Sequence, residues 1–156
     1  MLKKISLSML LTMGSLLFAD SFSLGASFGD TDFALNISDI NTAAKVSTKD
    51  FYADVCLEFG TTQTAIKAAT DSGMEPAEVY LALGFAEASG KPLTDVVSVW
   101  KKKKTKDWSE IGKDLKVDPG SAKFKKFKEK AKDRKGKMKH KNHEGMGHGK
   151  GNKKNK

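Results

Sequence analysis

"EPAEVYLALGFAEASG", residues 75–90, decides how the rest of the chain is read. Pro76 stands at a first helical position, where its missing N–H is no loss, and Gly90 stands where a helix would stop. Between them Val79, Leu83 and Ala86 fall on one stripe, so the segment is expected to be a helix with a core-facing side.

The same punctuation extends both ways. Upstream, "STKDFYADVCLEFG" (47–60) offers Ser47 as N-cap with Asp50 three residues later, Phe51, Val55 and Phe59 at four-residue steps, and Gly60 as the stop. "TTQTAIKAATDSG" (61–73) repeats the scheme with a threonine start and Gly73 at its end. Downstream, "KPLTDVVSVWKKKK" (91–104) puts Pro92 at a first helical position and spaces Leu93, Val96, Val97 and Trp100 at i, i+3, i+4 and i+7. "DWSEIGKDLKV" (107–117) sets Trp108, Ile111 and Leu115 on one face, and "DPGS" (118–121) makes a turn. Phe124, Phe127 and Ala131 then give a last helix an apolar edge beneath a crowd of lysines. The expected fold is mainly α, a small bundle of helical hairpins over residues 47–131, large enough for one core. An internal echo supports the hairpins. Gly60, Thr64 and Ile66 match Gly90, Thr94 and Val96, and Glu78, Val79 and Leu83 match Glu110, Ile111 and Leu115, which predicts a duplicated helical pair.

Residues 20–46 have a different texture. In "SFSLGASFGDTDFALNI" (21–37) apolar residues alternate as Phe22, Leu24, Ala26, Phe28 and then Phe33, Leu35, Ile37 around a turn-rich "GDTD". That pattern reads as a short β-hairpin, or equally as a linker. Before it, "MLKKISLSMLLTMGSLLFAD" places Lys3 and Lys4 ahead of an apolar stretch from Ile5 to Phe18 that ends at Ala19. This is the layout of a secretory signal peptide over residues 1–19, and the stretch is short for a bilayer-spanning helix, which needs about 20 residues. The mature chain is expected to begin near Asp20, in the periplasm or the medium, with no transmembrane segment. Cys56, the one cysteine, reads as a buried inert thiol among Phe51, Tyr52, Val55 and Phe59.

The formal charge of +9 conceals a division. Residues 20–100 carry 4 Lys against 12 acids, net −8, whereas residues 101–156 carry 22 Lys and Arg against 7 acids, net +15. An acidic body with a basic end makes the basic end the expected contact surface. The chain from 132 to 156, rich in Lys, Gly and His, reads as a disordered tail.

The order of these segments resembles a group of small exported bacterial helical proteins of uncharacterised function. The residues that carry the likeness are Trp108, Ile111, Leu115, Val117, Pro119 and Gly120, in a Trp-x-x-Ile-x-x-x-Leu-x-Val-x-Pro-Gly motif. Such proteins usually carry glycine after the Trp and after the Leu, where this chain has Ser109 and Lys116. The resemblance implies export and an all-helical core, and it carries no catalytic residues.

A catalytic constellation is hard to assemble from what remains. The three histidines, His140, His143 and His148, all lie in the basic end, and "HKNHE" (140–144) matches neither HExxH nor HxxEH. Together with Glu144 they are candidates for a weak divalent-metal site, since imidazole suits zinc, copper and nickel. No cofactor is expected. The stronger signal is a polycation made of Lys123, Lys125, Lys126, Lys128, Lys130, Lys132, Arg134, Lys135, Lys137, Lys139 and Lys141. Lysines are point charges suited to phosphates without base selectivity, so the expected partners are an anionic envelope surface or an extracellular polyanion. The alternative is nucleic-acid binding through residues 107–132, where a short helix, a turn and a basic helix follow the order of a helix-turn-helix element.

Overall fold

The computed structural model describes Leu24 and residues 30–144, with side chains as far as Met138. The described residues form seven helices: α1 (Thr31–Val46), α2 (Thr48–Phe59), α3 (Gln63–Thr70), α4 (Pro76–Ser89), α5 (Leu93–Lys102), α6 (Trp108–Leu115) and α7 (Ala122–Glu144).

The segment 75–90 is the hub of the fold. Every residue of α4 from Ala77 to Phe85 is buried, and α4 packs against each of the other six helices. Its stripe of Val79, Leu83 and Ala86 is only one side of a helix that is apolar almost all round, as a fully enclosed helix must be. Its ends are the expected ones. Pro76 is the first helical residue, Glu75 and Glu78 form a capping box, and Gly90 closes the helix at φ 72°. Gly60 ends α2 in the same left-handed conformation, φ 61°. Pro92 is an N-cap one residue outside α5 rather than its first residue.

The residues of the sequence echo fall at corresponding places in their helices. The helices α3 and α5 both start three residues after a left-handed glycine, and Ile66 and Val96 are both buried. The later partners α4 and α6 bury Val79 with Leu83 and Ile111 with Leu115. Glu78 and Glu110 part company, one enclosed and the other exposed. Lys116 closes α6 at φ 59°, the one non-glycine residue in the left-handed region among those described. This is one of the two positions where the resemblance would place glycine, the residue that pays no steric penalty there.

Two boundaries differ from expectation. Residues 31–37, read as the second strand of a hairpin, are the start of α1. Asp30 is its N-cap, its carboxylate accepting from the Phe33 amide at 2.7 Å, so "GDTD" is a helix start rather than a turn between strands. Phe33, Ile37, Ile40 and Ala44 face the core at helical spacing while Leu35 is 55% exposed. The first half of the proposed hairpin lies outside the described residues, apart from Leu24, which is buried in the core. The second boundary is at the basic end. Residues 132–144, read as disordered, continue α7. The helix is held because its apolar edge is longer than Phe124, Phe127 and Ala131. Arg134 is buried and Met138 packs against the core as well.

The core is aromatic where α1, α2, α4 and α7 meet. The Phe127 ring lies within 6.5 Å, centroid to centroid, of Phe33, Phe59, Tyr80, Phe85 and Phe124. Most of these pairs are edge-to-face, the arrangement the ring quadrupoles favour. The ring reaches the α4 backbone because residue 84 is glycine. A Cβ there would stand 2.1 Å from Phe127 ring carbons. Cys56 is half-buried against this core and unpaired.

Candidate cation surface of the last helix

The basic residues of α7 divide into two sets. On the inner edges, Lys128 pairs with Asp30 at 2.8 Å, Lys130 with Glu87 at 2.6 Å, and Lys135 with Asp39 at 2.9 Å while donating to Asn36 at 3.1 Å. Lys130 also sits 4.7 Å above the Phe59 ring. Arg134 goes deepest. Only 5% exposed, it donates from Nε to Glu58 at 2.8 Å and from Nη1 to Asp54 at 3.1 Å, with Nη2 also meeting Glu58. The other Glu58 oxygen accepts from the Tyr80 hydroxyl at 2.7 Å. Burial, followed by the Glu58 charge, pushes the Tyr80 phenol well above its ordinary range, so it stays a donor.

The outer set is Lys123, Lys125, Lys126, Lys132 and Lys137, all exposed and without an ion pair among the described residues. Lys139 and Lys141 follow on the same helix, outside the described side chains. Of the eleven cations assigned to the polyanion surface, then, Arg134 is corrected to a structural ion. A buried, hydrogen-bonded guanidinium is not available to an outside anion. Lys128, Lys130 and Lys135 are partly engaged with the body. The acidic body and the basic end, separated in sequence, are in part each other's partners.

Sequence reading did not anticipate the one buried acid among the described residues. Glu78 is 2% exposed, and its carboxylate accepts from the Trp100 indole at 3.0 Å and from the Glu75 amide at 3.0 Å. Lys106 lies 3.6 Å over the face of the Trp100 ring and donates to the Trp100 and Lys103 carbonyls, closing the end of α5. The signal was the "EPAE" start, because a glutamate at the third helical position returns to cap its own helix. Burial raises the Glu78 pKa, whereas the Asn41 hydrogen bond lowers that of Glu75 and the Lys128 hydrogen bond lowers that of Asp30. A raised acid is destabilising once ionised, and that penalty disappears as pH falls toward its unfolded value. The two lowered acids stabilise at neutral pH and lose that contribution below it. The urea midpoint is therefore expected to rise as pH falls from neutral toward the ordinary carboxylate range and to fall again below it. Glu78→Gln should flatten the upper limb and leave the lower one in place.

The helix-turn-helix-like stretch 107–132 is divided between α6 and α7, which both pack on α4. Trp108 and Phe124 each meet Phe85, at ring-centroid distances of 5.1 and 5.6 Å. His140 and His143 lie on α7 outside the described side chains, and His148 lies outside the described residues. Among the described residues no group of three or more His, Cys, Asp or Glu gathers where it could hold a metal ion. No described helix is long and apolar enough to cross a membrane. No family model matches the chain, and no curated protein and no solved structure matches it.

Proposed function

We propose that this chain is an exported, non-enzymatic binding protein whose basic surface holds anionic polymers of the cell envelope or the extracellular space. The observation that carries the reading is the division of α7. Its inner cations fasten the helix to the body, while Lys123, Lys125, Lys126, Lys132 and Lys137 face solvent with no acidic partner among the described residues. The lysines of residues 139–156 extend the same positive charge along the chain. Export rests on the signal-peptide layout of residues 1–19, which lie outside the described residues. Cleavage after Ala19 is compatible with the fold because it leaves Leu24 in the mature chain, where the core needs it.

Binding of this kind is driven by counterion release, so it has a measurable signature. The affinity of the mature chain for an anionic polymer should fall linearly in log–log terms with salt, each contacted phosphate contributing about 0.7 to the slope. Replacing the five outer lysines by glutamine should lower that slope by about 3.5 while leaving the thermal midpoint within about 2 °C of wild type. An unchanged slope in this variant would remove the outer lysines from the binding surface. Absence of any salt-dependent binding by the wild-type chain would remove the function.

A further inference from the structure

The inner lysines are not lost to binding; they are held in competition. Lys128, Lys130 and Lys135 retain 31%, 22% and 25% of their side-chain exposure, and their partners Asp30, Glu87 and Asp39 are more open still at 56%, 39% and 47%. Ion pairs this exposed are weak and exchange readily. A phosphate reaching the same ammonium groups would meet a carboxylate already in place. Arg134 differs, because its partners Asp54 and Glu58 hold it below the surface.

We propose that Asp30, Asp39 and Glu87 act as an intramolecular competitor that masks the inner lysines of α7, so that a polyanion gains these three cations only by displacing the body's own carboxylates. This rests on the polyanion-binding reading above and adds its regulation. The outer lysines supply basal affinity. The inner ones are a reserve, released when the acids on α1 and α4 are neutralised. The masking acids come from two helices that flank α7 on opposite edges, which makes it a clasp rather than a chance pair.

The test uses the mature full-length chain and long-chain inorganic polyphosphate, titrated over a salt series. The variant Asp30→Asn, Asp39→Asn, Glu87→Gln is compared with a charge-matched control, Asp50→Asn, Asp95→Asn, Asp107→Asn, whose carboxylates, on α2, on α5 and at the start of α6, pair with no lysine or arginine among the described residues. The unmasked variant should bind about tenfold more tightly than wild type at low salt, with a slope steeper by about two, the sum expected for three further phosphate contacts. The control should gain about twofold at most, with an unchanged slope. Equal gains in both variants would overturn the clasp, because whole-molecule charge would then explain them. Wild-type binding with an unchanged slope in the unmasked variant would also overturn it while leaving the polyanion reading intact. No salt-dependent binding by any of the three would overturn both. Circular dichroism melting of each variant guards against loss of fold, and Lys128→Gln, Lys130→Gln, Lys135→Gln in the unmasked background should return the slope to wild type.

Discussion

Gly84→Ala is expected to destabilise the protein by about 3 kcal/mol or more, against an intrinsic helix preference that favours alanine by about 1 kcal/mol. The opposed signs are what make the measurement informative. An added Cβ would lie 2.1 Å from the Phe127 ring, so either the ring or the helix must move. Phe127 has nowhere to go, since Phe33, Phe59, Tyr80, Phe85 and Phe124 surround it. Phe127→Ala should be comparably damaging, by about 3–5 kcal/mol, through the cavity it opens. Combining Gly84→Ala with Phe127→Leu should recover much of the loss, a coupling readable by a double-mutant cycle in urea. Additive losses would mean that the two residues do not meet.

Arg134→Ala is the second large effect, about 3–5 kcal/mol, because it strands Glu58 and leaves Asp54 without its guanidinium partner. Most of that figure is the burden of an uncompensated buried charge rather than the worth of the ion pair. Arg134→Met together with Glu58→Gln keeps an acceptor for the Tyr80 hydroxyl and removes the orphaned charge, and it should be appreciably more stable than Arg134→Met alone. If both variants melt together, the network contributes little to holding α7.

The helix ends were legible because their chemistry is local. Pro76, Gly60 and Gly90 act through their own backbone, and each lies where its residue type demands. The hairpin reading failed for a specific reason. In Phe33, Leu35, Ile37 the alternating period and the helical period share two of three residues, and only Ile40 and Ala44, further along, separate them. Asp30 was the cue that would have settled it, three residues ahead of an apolar run. The boundary at residue 131 failed differently. Lysine density reads as solvation when the partners are out of view, and here Asp30 lies 98 residues from Lys128 and Glu58 lies 76 from Arg134. The charge division between the two parts of the chain was plain in the sequence. That the two parts close on each other is a tertiary fact, set by which faces of α1, α2 and α4 remain acidic once their apolar faces are buried. Glu78 shows the same limit in reverse, an acid that looks like a helix-start residue and is one, yet is sealed in by Trp100.

The basic segment is a docked helix with inner and outer cations, not a free tail. Native-state hydrogen exchange of the mature chain, read amide by amide over residues 124–134 against Ala77–Phe85 of α4, tests it directly. The two segments are expected to exchange together, through global unfolding, because α7 and α4 share one core. Exchange of residues 124–134 within seconds while α4 stays protected would show the segment detached and contradict the account.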